Sequence, residues 1–304
     1  MVNRCLAGDC RDSMRRLVAD GVRVQCAVTS PPYWGLRDYG VTGQLGLEPT
    51  IAEYIANMVE VFRLVRELLA DDGVLWLNMG DSYAGGGRGG NPADSPFRKQ
   101  ATNVGSLVAP SPVPDGLKPK DMCGIPWRLA FALQADGWWL RQDIVWSKPN
   151  PMPESVTDRC TKAHEYPFLL TKRERYYYDA EAIAEPSSGW NGSRFDDGKN
   201  EIVHSNVGRN RKPVGSETRN KRSVWTVATQ PYSEAHFATF PPALIEPCIL
   251  AGSRSGDVVF DPFLGSGTVA KVAQRLGRQW LGCELNPDYV QMQKKRTAQA
   301  AMTL

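Results

Sequence analysis

An α/β fold, a parallel sheet covered by helices on both faces, is predicted by three features of this sequence. Short apolar runs alternate with longer stretches whose apolar residues recur at helical spacing. The segment FDPFLGSGT (260–268) sets a glycine-rich turn between an apolar run and a helical one. The 304 residues, 42% of them hydrophobic, suffice for one large core or two modest ones.

Taken along the chain, 25–29 (QCAVT) is strand-like, and 51–70 (IAEYIANMVEVFRLVRELLA) carries the apolar spacing of a helix. Asp71-Asp72-Gly73 is a stop signal, and 74–83 (VLWLNMGDSY) is a second buried strand. A helix follows over 126–137, then strands over 140–149 (LRQDIVWSKP) and 168–178. The stretch from Asp257 to Arg296 gives strand, glycine turn, helix, strand, helix. Strands alternating with helices imply a parallel sheet.

Two stretches break this rhythm. Residues 85–120 are rich in Gly, Pro and Ser with no clear period, which marks a long inserted loop. Residues 187–222 are polar, and within 199–222 seven cations (Lys199, Arg209, Arg211, Lys212, Arg219, Lys221, Arg222) face only Glu201 and Glu217. The net charge of +3 is mild, so this local excess says more about partners than the total does.

The seven cysteines form no C-x-x-C pair and no zinc-spaced Cys/His cluster, so no metal is expected. An odd, unpaired set fits a reducing compartment. The charged beginning lacks a signal-peptide core and no apolar run has the length of a membrane span, so a soluble cytoplasmic protein is expected.

In VVFDPFLGSGTVAKVAQRL, Asp261 stands at a strand end, Gly265 and Gly267 form the turn, and a helix starts near Thr268. Such glycines let backbone approach a ligand, and the helix start offers free amide donors. Glu284 follows 23 residues after Asp261, at the end of the next strand, where nucleotide folds place an acid for ribose hydroxyls. The phosphate-loop pattern G-x-x-x-x-G-K-[ST] is absent, and the third glycine of the dinucleotide fingerprint is missing. A nucleoside without a pyrophosphate fits better, and S-adenosylmethionine is such a ligand. The plainer alternative is a tight strand-to-helix turn.

Ser30-Pro31-Pro32-Tyr33 follows the first strand directly. Two prolines fix φ and remove two amide donors, leaving a rigid segment of carbonyls. The Ser30 hydroxyl and Pro31 carbonyl suit the two hydrogens of an amine on a planar ring, with Tyr33 stacking on that ring. Holding both hydrogens out of plane localises the amine lone pair towards an incoming methyl group. In duplex DNA such a base must first be flipped out. A proline-rich turn ending a strand is the alternative.

TSPPYWGLRDYG followed by FDPFLGSGT and GCELNPDYV resembles the β group of DNA amino-methyltransferases, which modify cytosine N4 or adenine N6. The resemblance covers nearly all of the chain and keeps the group's motif order. It implies a Rossmann-like class I methyltransferase sheet with permuted motifs, an inserted loop and a small target-recognition region. On this basis 1–180 form the catalytic half, 181–225 the recognition region and 226–304 the cofactor half. Ser30, Pro31, Pro32 and Tyr33 map onto the catalytic motif. Asp261, Phe263, Gly265, Gly267 and Thr268 map onto the cofactor turn, and Glu284 onto the ribose-binding acid. HFATFPPALIEPCILAG (236–252) matches the segment before that turn, which assigns His236, Phe240 and Pro241 to the methionine end of S-adenosylmethionine. LAGDCRDSMRRL (6–17) assigns Asp9 to the cofactor's adenine. Asp9 also reads as a helix cap, and His236 as a packed or capping histidine.

The recognition region coincides with the basic stretch. Arg194, Arg209, Arg211, Lys212, Arg219, Lys221 and Arg222 are the expected contacts to double-stranded DNA. Homodimers are common in the group, which makes a second copy of the chain a candidate partner. Ser at the first motif position inclines the target towards cytosine N4. RNA methylation on the same fold and a non-catalytic DNA-binding regulator are the competing readings.

Overall fold

The computed structural model describes residues 2–85, 113–187, 217–230 and 240–301. Its centre is a mixed sheet, and the order of the strands sets where the functional residues fall. Strand β1 (Arg4–Ala7) leads into helix α1 (Cys10–Ala19) and strand β2 (Val24–Thr29). Helix α2 (Ile51–Leu68) is capped by the Thr50 side chain and runs straight into strand β3 (Leu69–Met79). Helix α3 (Ile125–Ala135) precedes strands β4 (Trp139–Asp143), β5 (Val145–Ser147) and β6 (His164–Thr171). Short strands β7 (Glu185–Pro186) and β8 (Thr218–Arg219) pair with each other, and β9 (Val224–Thr226) follows. The chain then forms helix α4 (Pro242–Gly252), strand β10 (Val258–Asp261), helix α5 (Thr268–Arg275), strand β11 (Gln279–Glu284) and helix α6 (Pro287–Ala301).

Among the described residues the strand order is β1-β11-β10-β2-β3-β6-β5-β9, with β4 beside β6. From β1 to β3 every pairing is parallel. The wholly parallel sheet expected from the sequence therefore needs correction: β6 runs antiparallel to β3, β4 and β5.

Three boundaries differ as well. Asp71-Asp72-Gly73 does not end an element but lies inside β3, at an irregular register where Val24 pairs Leu69 and Cys26 pairs Val74. A Cβ on Gly73 would stand 2.9 Å from Ala70 O, so the glycine permits a bulge rather than a stop. The strand expected over 140–149 is broken at Ile144 into β4 and β5, which pair with successive parts of β6. The strand expected over 168–178 begins earlier, at His164, and ends at Thr171. Helix α4 escaped the sequence reading because Pro242 and Pro247 mask its apolar spacing.

Both faces of the sheet are covered. Ala27, Leu75 and Leu77 pack with Met14, Leu17, Phe62, Leu129 and Leu133 of α1, α2 and α3. Their strand neighbours Cys26, Val28, Val74 and Trp76 pack on the other face with Ile245, Ile249, Val269 and Val272 of α4 and α5. Alternate residues thus go to opposite cores, which explains why β2 and β3 read as continuous apolar runs. Among the described residues no helix is long and apolar enough to cross a membrane.

Candidate active site

Five parallel strands end along one edge of the sheet, and in open α/β sheets ligands bind at that carboxyl edge. β2 delivers Thr29 and Ser30 there, and its neighbour β10 delivers Asp261. Thr29 Oγ1 donates to Asp261 Oδ1 at 2.6 Å, tying together two segments 232 residues apart. The S-P-P-Y segment and the glycine turn therefore leave the sheet side by side.

At the turn, the Phe263 amide also donates to Asp261 Oδ1, at 2.9 Å. Gly265 and Gly267 adopt φ of +53° and +85°, the left-handed region that favours glycine. The Gly265 amide donates to Glu284 Oε2 and the Asn286 amide to Glu284 Oε1, both at 2.8 Å. Beneath the turn, Gln293 of α6 donates to Gly265 O at 2.6 Å and Arg296 donates to Ser266 Oγ at 2.5 Å. Thr268 is buried and lies 3.3 Å from the Arg296 guanidinium.

Burial pushes the Asp261 carboxyl up to about 7, with the Glu284 charge adding to the shift while Thr29 and the Phe263 amide oppose it. Burial raises Glu284 too, against the backbone amides that hold it. A cationic ligand would relieve both. S-adenosylmethionine carries a sulfonium and an ammonium, so this acidic edge fits it. A Cβ on Gly265 would meet only Phe263 O, at 3.8 Å, which leaves open approach for a ligand at the turn.

Asp9 caps α1 through the Arg11 amide at 2.7 Å and pairs with the Arg11 guanidinium at 2.6 Å. It does so just beyond β1, whose Ala7 pairs Glu284 in register. Pro241 is buried at the start of α4, and Phe240 packs on the core shared by α4 and α5. His236 lies outside the described residues.

Around the S-P-P-Y segment, Pro32 O accepts from Tyr54 Oη at 2.8 Å, while among the described residues no donor reaches Pro31 O. Tyr33 lays its ring against Gly80, where a Cβ would stand 2.6 Å from Cε2. Its hydroxyl donates to Glu165 Oε2 at 2.7 Å, accepts from Asn78 Nδ2 at 2.9 Å and meets Ser30 Oγ at 3.2 Å. Lys148 completes the set as an ion pair with Glu165. Sequence reasoning missed Asn78, Lys148 and Glu165. The available signals were an asparagine inside the apolar VLWLNM and a glutamate immediately before an apolar strand.

Of the expected DNA contacts, Arg194, Arg209, Arg211 and Lys212 lie outside the described residues. Arg219 and Arg222 both reach Glu185 Oε1, at 2.9 and 2.5 Å, and Lys221 lies over the Trp225 ring at 5.2 Å. The β7–β8 ladder joins the two ends of the basic stretch. Among the described residues no group of three or more His, Cys, Asp or Glu could hold a metal ion.

Comparison with known proteins agrees with this arrangement. A family model described as DNA methylase matches residues 24–295. Type II methyltransferase M.Cfr9I of Citrobacter freundii is 50% identical over 293 residues, covering 95% of this chain and 85% of its own. Type II methyltransferase M.SmaI of Serratia marcescens is 48% identical, covering 96% of this chain and 90% of its own. Among solved structures, the PvuII cytosine-N4-specific DNA methyltransferase aligns with a TM-score of 0.63 at 18% identity, over 96% of this chain and 85% of its own. A DNA modification methylase of Thermus thermophilus, TTHA0409, complexed with S-adenosyl-L-methionine, aligns with a TM-score of 0.57 at 25% identity, over 98% of this chain and 93% of its own.

Proposed function

We propose, from the premise that this chain belongs to the DNA methylase family and is an S-adenosylmethionine-dependent DNA methyltransferase, that its target is the N4 amine of a flipped-out cytosine. The observation that carries the reading is the Thr29–Asp261 hydrogen bond, which sets the amine-binding segment beside the cofactor turn. Ser30 at the first motif position supports cytosine over adenine.

S-adenosylmethionine, when bound, supplies an electrophilic methyl group on a sulfonium. Gly265 and Gly267 allow its close approach, and the Glu284 carboxylate suits its ribose hydroxyls. Asp261 and Phe263 line the turn, Asp9 stands at the neighbouring strand end, and Phe240 and Pro241 stand at the start of α4. Ser30 Oγ and the Pro31 carbonyl accept the two hydrogens of the target amine, which turns its lone pair out of the ring plane. Tyr33, pinned through its hydroxyl, fixes where that segment stands. Positioning of this kind removes much of the entropic barrier. The basic residues around β8 neutralise phosphates of double-stranded DNA. A cytoplasmic location follows from the same reading. A homodimer is implied by the resemblance, and sedimentation equilibrium tests it.

The deciding experiment incubates the protein with duplex DNA and methyl-labelled S-adenosylmethionine, then digests the DNA to nucleosides for mass spectrometry. Label in N4-methylcytosine is the expected result. Label in N6-methyladenine would overturn the choice of base. Unlabelled DNA with the cofactor bound would move the protein to RNA or to a silent regulator.

A further inference from the structure

The hydrogen bonds around Tyr33 allow their donors and acceptors to be assigned one by one. Asn78 Nδ2 lies 2.8 Å from Glu165 Oε2 and 2.9 Å from Tyr33 Oη. A carboxylate oxygen takes an amide N–H and not an amide oxygen, so the Asn78 nitrogen faces both partners and donates to both. Tyr33 Oη, 2.7 Å from Glu165 Oε2, must then donate to the carboxylate, which only accepts. With Asn78 on one lone pair, the Tyr33 oxygen accepts from Ser30 Oγ on the other, at 3.2 Å. Ser30 has its own hydrogen committed to Tyr33 and only lone pairs left for a further partner. Lys148 holds the second Glu165 oxygen and also lies over the Trp146 ring at 4.4 Å.

We propose that Glu165 is the proton acceptor of the methyl transfer, reached from the target amine through Ser30 Oγ and Tyr33 Oη. The proposal rests on the amine-methylation reading above. The amine nitrogen gives its lone pair to the methyl carbon as the carbon–sulfur bond breaks, its electron pair staying on sulfur. The nitrogen then carries two hydrogens, the methyl group and a positive charge, and one proton must leave. That proton passes to Ser30 Oγ, the Ser30 hydrogen to Tyr33 Oη, and the Tyr33 hydrogen to Glu165 Oε2. Ser30 and Tyr33 end as they began, and Glu165 ends neutral beside a Lys148 that keeps its charge. Burial, with the Glu165 charge adding to it, holds Tyr33 well above the ordinary phenol pKa. The tyrosine therefore passes a proton on as it receives one and does not hold a negative charge itself. Asn78, 6% exposed, orients the carboxylate and the phenol together.

The test measures single-turnover methylation of duplex DNA by wild type, Glu165→Gln, Tyr33→Phe and the double variant. Glutamine keeps the size and one acceptor oxygen of Glu165 but takes no proton. Each single variant is expected to lose roughly 100-fold or more in rate, the scale of general-base catalysis. Affinities for S-adenosylmethionine and DNA are expected to stay close to wild type. The double variant should be no slower than the slower single, because both interrupt one path. Losses that multiply in the double variant, or a Glu165→Gln rate near wild type, would overturn the relay. If Glu165→Gln melts before assay, Lys148→Gln/Glu165→Gln removes both charges and gives the same readout. A wild type that leaves DNA amines unmethylated would instead sink the underlying reading.

Discussion

Replacing Gly80 with alanine asks whether the placement of Tyr33, rather than its presence, governs the rate. The backbone at Gly80 lies outside the left-handed region, so the change adds a clash without backbone strain. The new Cβ would stand 2.6 Å from Tyr33 Cε2 and 3.2 Å from Cδ2. Ordinary contact begins at 3.4 Å, so the ring must retreat by about 0.8 Å. It cannot do so freely, because its hydroxyl is bonded to Glu165 at 2.7 Å and to Asn78 at 2.9 Å. A retreat of that size takes one or both bonds out of range. Overpacking of this kind costs about 1–3 kcal/mol. A misplacement near 1 Å lowers a catalysed rate by roughly 100-fold. The expected result is a melting temperature lower by several degrees and a single-turnover methylation rate down by about two orders of magnitude. S-adenosylmethionine affinity, set at a different strand end, should hold in calorimetry. A variant that melts earlier yet methylates at the wild-type rate would refute the claim that Tyr33 placement limits chemistry.

Three further outcomes are expected. Glu284→Ala removes an acceptor for the ribose and releases the Gly265 and Asn286 amides, so S-adenosylmethionine binding should weaken by about 10- to 100-fold. Unchanged affinity in calorimetry would remove Glu284 from the cofactor site. Asp261, pushed up to about 7 from 3.8, holds a proton in the folded state that the unfolded chain has already released. Its contribution to stability is therefore lost as pH rises from about 4 to about 7, by about 4 kcal/mol at most. Asp261→Asn should flatten that loss in urea titrations of the cofactor-free protein at the two ends of the window, and equal slopes would contradict the assignment. Arg222→Ala should weaken DNA binding about equally on all sequences and reduce the salt slope of log K by about one, whereas an unchanged slope would exclude a phosphate contact.

What could be read from the sequence is what depends on near neighbours in the chain. Val24–Thr29 shows its strand through continuous apolar residues, and F-D-P-F-L-G-S-G-T shows its turn through glycines that the backbone needs at positive φ. The position of Glu284 at a strand end was legible because β10, α5 and β11 follow one another without interruption. The direction of a strand has no such local signature. HEYPFLLT reads the same whether it runs parallel or antiparallel, and only the antiparallel pairing of β6 with β3 brings Glu165 to the edge where the parallel strands end. Asn78 and Lys148 likewise gain their meaning from Glu165, 87 and 17 residues away. The sequence determined by itself the two strand-end motifs that hold Ser30, Tyr33, Asp261 and Glu284. Tertiary structure alone decided which groups hold Tyr33, because a hydrogen bond is set by closeness in space, and a mixed sheet makes neighbours of segments that are remote along the chain.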